Sequence, residues 1–364
     1  MSEATRPRGS LNARRSIIVG LVGLAVVAFV FLRVIPQVGS YEDALTALET
    51  MTLPALVGIV VSVVAYLAAY GLPVMASVPG LSYWRAQQLN QAAFAVSNGV
   101  PAGAAFGLGV QYEILESFGV GPSDSEAAIT ANDVWDLSST LAFPIVGVVA
   151  IELSGQAARS YVWPAVLGLL VLVAAIVAFV LVIRSEAVTR WVASLGNRIV
   201  GPFVRRFRKG HPLDLVAVML RYREAIAGLV GRRWRALTAA ELLVAFAQFL
   251  IFYVSLRGVE GWRAAGTPFL AAFGSFAIAQ IALLIPITPG GLGTADATMI
   301  AAMTGLGVSA GVATAADLVW RAASFVPQMV IGLVSLITWS WREARRTAGG
   351  THVELGGSPG RVGP

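Results

Sequence analysis

Asp296, Asp317, Arg321 and Asp136 are charged residues set in apolar sequence, and they are the positions from which chemistry can be read. A charge at the centre of a bilayer costs roughly 2.5–3.5 kcal/mol on insertion scales, so it marks either a pathway or a pair. Asp317 and Arg321 stand four residues apart, on one face of a helix and in the favourable order, which allows mutual neutralisation. A second reading gives Arg321 a phosphate. Its planar fork of donors suits phosphate oxygens, as does the N-terminus of a helix starting after Gly293. The string "IPITPGGLGTADA" at 285–297 supplies that start. Pro286 and Pro289 remove backbone donors, and Gly290, Gly291 and Gly293 permit a sharp reversal. Backbone left unpaired at membrane depth is tolerated only where protein or a wet cavity surrounds it.

Other chemistries are excluded by what the chain lacks. With no cysteine there is no disulfide and no thiolate site. His211 and His352 lie in basic or tail sequence, so no metal site is expected. Lys209 is the only lysine and precedes Gly-His, whereas a phosphate-binding P-loop needs Gly-Lys-Ser/Thr. No cofactor and no ATP hydrolysis are expected, and the chain is not read as an enzyme. The net charge of +6 fits cytoplasmic loops facing anionic lipid rather than nucleic acid.

The elements that position these residues belong to a bilayer. The chain is 57% apolar and 13% charged, with a mean hydropathy of +0.75; soluble domains carry about a quarter charged residues. Six apolar segments of membrane length stand at 16–34, 53–73, 127–151, 162–183, 236–256 and 308–341. Two more are interrupted: 86–118 at "GVPAG" and 267–306 at the proline-glycine string. Arginines orient the spans. Arg6, Arg8, Arg14 and Arg15, the basic stretch 184–235, and Arg342, Arg345 and Arg346 should all be cytoplasmic. That assignment fails if 86–118 crosses the membrane once. It holds if 86–118 and 267–306 each enter and return as re-entrant hairpins. The expected fold is therefore an all-α polytopic membrane protein with about six spanning helices plus two broken re-entrant hairpins.

The two halves resemble each other. "VPAGAAFGLG" (100–109) lies over "IPITPGGLG" (285–293), placing Pro101 and Gly103 in the first tip. At a spacing of 185, Asp136 falls on Arg321 and Gly147 on Gly332. With opposite orientations this is an inverted repeat, the plan of many secondary transporters. The organisation expected is a disordered tail (1–13), a first transmembrane half (14–183), a basic connector (184–235), a second half (236–342) and a second disordered tail (343–364). Within the connector, apolar residues at helical spacing with arginines between them read as two interfacial helices separated by "RRFRKGHP".

"LIPITPGGLGTAD" followed by "AADLVWRAASFVPQMVIGL" resembles the lysylphosphatidylglycerol synthase transmembrane region, a flippase-like family. The matching positions are Pro286, Pro289 to Gly293, Asp296 and Arg321. The family usually carries glutamate where Asp296 stands, and a basic residue near Gln111. The resemblance implies translocation of an anionic phospholipid or a lipid-linked glycan across the cytoplasmic membrane, the headgroup passing between the hairpin tips. Both termini would be cytoplasmic. No aminoacyltransferase domain is expected, so a lipid-modifying enzyme would be a separately encoded partner. Two alternatives remain: a non-transporting membrane partner of such an enzyme, and a polyprenyl-phosphate-dependent glycosyltransferase using Glu42 and Asp43.

Overall fold

The computed structural model describes residues 51–99, 103–155, 185–207, 215–262, 266–284 and 293–354, with isolated positions at 46, 49, 177 and 181. The described residues are helical throughout. In order they form α1 (Leu53–Ala69), α2 (Leu72–Ser77), α3 (Tyr83–Gly99), α4 (Gly103–Ser117), α5 (Pro122–Leu153), α6 (Glu186–Phe207), α7 (Leu215–Val259), α8 (Phe269–Ala279) with a 3-10 turn (Gln280–Leu284), α9 (Thr294–Gly305) and α10 (Ala310–Glu354).

Among the described residues, four helices are long and apolar enough to cross a membrane: Leu53–Ser77, Pro122–Leu153, Arg233–Val259 and Ala310–Arg346. They contain four of the six spans expected from sequence. The other two, at 16–34 and 162–183, lie outside the described residues apart from 177 and 181. The second amphipathic stretch of the connector is not a separate helix. It runs without a break into the next span as α7.

Helix α1 shows how the spans are patterned. Thr52 precedes the helix and Pro54 sits in its first turn, where a missing donor is harmless. Ala55, Ile59, Ser62, Tyr66 and Ala69 form its buried face, while Val57, Val60, Val61 and Val64 are exposed. Small and polar side chains point inward and branched aliphatics outward, the arrangement expected when the solvent is hydrocarbon.

The interrupted segments are helical hairpins. A Cβ on Gly103 would lie 2.5 Å from the carbonyl oxygens of Val96 and Ser97, and one on Gly107 would lie 3.2 Å from Ala93 O. Helix α4 therefore returns along α3 through its glycine face. At the open end Ala86 and Leu89 pack with Ile114 and Leu115. In the second hairpin Met299 and Met303 of α9 pack against Ala272 and Phe276 of α8. A polar lock sets the entry to α8: Arg257 pairs with Glu260 at 2.7 Å, and Glu260 accepts the Thr267 N–H at 3.0 Å.

Each hairpin is held by a span from the other half. Helix α3 lies along α10, where Gly332 faces Gln91 O and Ala95. Helix α8 lies along α5, where a Cβ on Gly147 would come within 2.8 Å of Ala277 Cβ and 2.9 Å of Gly274 O. Trp339 Nε1 donates to Ser117 Oγ at 2.9 Å, fixing the open end of the first hairpin to α10.

Candidate functional site

Gly293 stands at φ +86°, in the left-handed region that a side chain disfavours, and α9 begins immediately after it. Asp296, third in that helix, reaches back so that Oδ2 accepts the Gly293 N–H at 2.6 Å. This is the acidic half of a capping box, and it places a carboxylate where the helix dipole favours one. The other oxygen, Oδ1, accepts from Arg321 Nε on α10. Asp296 is 1% exposed and Arg321 8%, so the ion pair is buried. Two elements, the start of α9 and the last span, are joined by one carboxylate.

The pairing differs from the expectation for Asp317. Although it is one turn before Arg321, Asp317 is fully buried with neither oxygen hydrogen-bonded among the described residues. Arg321 gives its Nε to Asp296. The guanidinium also lies 4.6 Å from the centroid of the Trp320 ring, adding a cation–π contact. Trp320 in turn meets Phe252 and Phe276 edge-on, at 6.1 and 5.8 Å. The aromatic cluster anchors the arginine from the apolar side.

Around this pair lies a polar interior that sequence reasoning missed. Tyr66 of α1 donates its hydroxyl to Gln328 Oε1 at 2.9 Å. Arg321 and Asp136 are both among the charges that act on that hydroxyl. Glu241 of α7 is buried and feels Asp136. A signal was present: Glu241 stands within the apolar run 236–256, as an intramembrane acid. Tyr66 and Gln328 gave no such signal, since neither residue type is rare in a span.

Helix α3 carries a second missed feature. Its sequence "AQQLNQ" puts four amides into a hairpin limb. Gln87 Nε2 donates to Leu67 O at 2.7 Å and Ala68 O at 3.0 Å, and Asn90 Nδ2 donates to Tyr70 O at 2.5 Å. These carbonyls flank the break between α1 and α2, where Pro73 offers no N–H. Neighbouring amides thus satisfy backbone that the break leaves open.

Of the positions expected at the site, Gly293, Asp296, Asp317 and Arg321 come together on α9 and α10. Gly103 starts α4, against Val96 and Ser97, and Asp136 lies exposed on α5. Pro101, Pro286, Pro289, Gly290 and Gly291 lie outside the described residues. No group of three or more His, Asp or Glu side chains with metal-binding geometry occurs among the described residues.

The sequence profile of the lysylphosphatidylglycerol synthase TM region matches residues 17–332, which includes every residue of this site. The chain belongs to that family. As a lysylphosphatidylglycerol synthase TM-region protein it is a multi-pass membrane protein of a lipid-handling family. No curated protein matches it. The matched range contains both members of the buried pair, Asp296 and Arg321.

Proposed function

We propose that this chain moves a phosphate-bearing lipid, a phospholipid or a lipid-linked glycan, across the cytoplasmic membrane. The headgroup passes between the two hairpin tips. The observation that carries this reading is the buried Asp296–Arg321 pair, which sets an arginine beside the N-terminus of α9. Both groups suit phosphate oxygens. A headgroup entering from the tip side meets the helix start and the guanidinium together.

The hairpin helices support passage at depth. Helices of 17, 15 and 12 residues (α3, α4 and α9) rise about 25, 22 and 18 Å at ~1.5 Å per residue. Each is short of the ~30 Å hydrocarbon core, as re-entrant limbs are. Broken helices meeting near the midplane give a polar path without breaching the membrane.

Lipid movement in vesicles holding the purified protein tests the reading. Fluorescent phospholipid should exchange between leaflets, and Arg321→Lys, keeping charge without the planar fork, should slow it clearly. Vesicles with and without wild-type protein exchanging at the same rate would end the proposal.

A further inference from the structure

Asp317 is a charge the headgroup reading does not use. It lies in the last span, about two turns after the start of α10 at Ala310, with no exposed surface, and neither carboxylate oxygen finds a hydrogen-bond donor among the described residues. The nearest cation in sequence, Arg321, is one turn away but gives its Nε to Asp296 on α9. Two carboxylates therefore stand near one guanidinium, and the geometry satisfies only one of them.

The charges acting on Asp317 are Asp296 from α9 and Arg321 from its own helix. Beyond them, Asp136 of α5 acts on Tyr66 of α1 and on Tyr70 just after it, and Glu241 of α7 acts on Tyr70. An ionised carboxylate with no donor is the least tolerable state for a buried group, and it neutralises by taking up a proton. Asp296, by contrast, has a donor on each of its two oxygens.

We propose that Asp317 is a proton-binding site and that its proton is bound together with the lipid phosphate, so that lipid movement is proton-coupled. This rests on the headgroup reading above. The charge count gives the sign. With Asp317 protonated, the group Asp296, Arg321 and Asp317 is neutral, and a phosphate monoanion brings it to one negative charge. With Asp317 ionised, the same phosphate makes two negative charges in a low-dielectric interior. Phosphate entry therefore favours the protonated acid, and by reciprocity protonation favours phosphate entry. When the headgroup leaves, the charge balance that favoured the protonated acid is lost, and Asp317 gives its proton to water on that side.

Two measurements separate this inference from the reading beneath it. Infrared spectra of the whole protein in lipid, at neutral pH, should show a carboxylic-acid carbonyl band that Asp317→Asn removes and Asp136→Asn leaves in place. Asp317→Glu, which keeps the acid, should move the band without abolishing it, so a poorly folded asparagine variant does not decide the outcome. No band assignable to position 317 in either variant means an ionised Asp317, and the proposal is wrong whether or not lipid moves. In lightly buffered vesicles with an internal pH dye, lipid movement should be accompanied by uptake of about one proton per lipid. Raising the pH should slow it, and Asp317→Asn should lose both the uptake and the pH dependence. A band at 317 with lipid movement but no proton uptake would leave a structural proton and overturn the coupling. A band at 317 with no lipid movement by the wild type would overturn the headgroup reading and the coupling with it, leaving only the proton site.

Discussion

Gly147 and Gly332 stand 185 positions apart, and each is pressed against the first helix of the other half's hairpin. Gly147 of α5 meets Gly274 and Ala277 of α8, and Gly332 of α10 meets Gln91 and Ala95 of α3. The contact is exchanged between the halves, so neither half can seat its own hairpin without the other. Small residues at both crossings let the backbones approach closely.

Enlarging either glycine should therefore destabilise the bundle. Gly332→Ala puts a methyl against the Gln91 carbonyl and 2.7 Å from Ala95 Cβ. Overpacking of this kind costs roughly 1–3 kcal/mol. Gly147→Ala should behave alike, while Gly311→Ala, with nothing within 4 Å, should be neutral or slightly stabilising. Thermal midpoints of the three variants in detergent make the comparison. Equal midpoints for Gly332→Ala and Gly311→Ala would show that the crossing is loose.

The buried pair makes a prediction about coupling. Removing one member leaves the other charged and buried, at about 3–5 kcal/mol. Asp296→Asn should be the worse single variant, since it also weakens the acceptor for the Gly293 N–H. Together with Arg321→Gln the loss should fall short of additivity by roughly 0.5–3 kcal/mol, as for residues in direct contact. Additive losses would mean that Arg321 has another main partner. The cycle also shows how much of any transport defect in Arg321 variants is a folding defect.

The amides of α3 should prove structural. Gln87→Leu and Asn90→Leu each strand carbonyls at the α1–α2 break, a loss of about 1–3 kcal/mol where the group is buried. Gln88→Leu should cost less, because its bonds to Ser335 O and Thr338 Oγ1 are both 3.3 Å long. Unfolding of the purified variants ranks them. Gln88→Leu proving the most damaging would reverse the assignment.

How much of this was legible in the sequence depends on what each feature leaves in the residue pattern. Membrane-length apolar runs announced the four spans, because hydropathy over ~20 residues is a direct physical requirement of crossing. The charges at Asp296 and Arg321 announced a site, because a charge in such a run is costly. Which charges pair was not legible. Asp317 and Arg321 are neighbours on one helix, whereas Asp296 reaches Arg321 only because α9 folds against α10. Nor was the continuity of α7 legible. Its basic first half and apolar second half differ sharply in composition, and nothing between Leu215 and Val259 breaks a helix. Tyr66 and Gln328 became visible only once α1 and α10 were adjacent.

Topology can be read directly because the chain has no cysteine. Single cysteines at Glu42, Gln156 and Gly261 should react with an impermeant maleimide added outside intact cells. Those at Arg85, Ser123 and Lys209 should be protected. The decisive position is Ser123, just inside α5 and next to the end of the first hairpin. Protection there requires α3 and α4 to enter and leave on one side. External labelling of Ser123 would make the pair a single crossing and remove the re-entrant arrangement.

Helix α6 should lie on anionic membrane. Thr189 and Ala193 are buried, and α6 packs against α7. On the opposite face Trp191 is 65% exposed and Leu195 42%, alongside Arg190 and Arg198. An exposed tryptophan and leucine among arginines suit the headgroup boundary, with the rings in the acyl edge and the guanidiniums among phosphates. Arg190 is paired with Glu186 at 2.6 Å, but both are well exposed, so that pair contributes little and anionic lipid competes for the guanidinium. An environment-sensitive dye on a cysteine at Leu195, in the full-length protein, reports the contact. Its emission should shift toward an apolar environment in vesicles containing anionic lipid. Salt should reverse the shift as the Debye length shrinks from ~10 Å at 0.1 M toward ~3 Å at 1 M. Trp191→Glu should abolish the shift by removing the apolar anchor and adding a repelled charge. The same emission in neutral and anionic vesicles would remove the electrostatic part, and α6 would then be held by α7 alone.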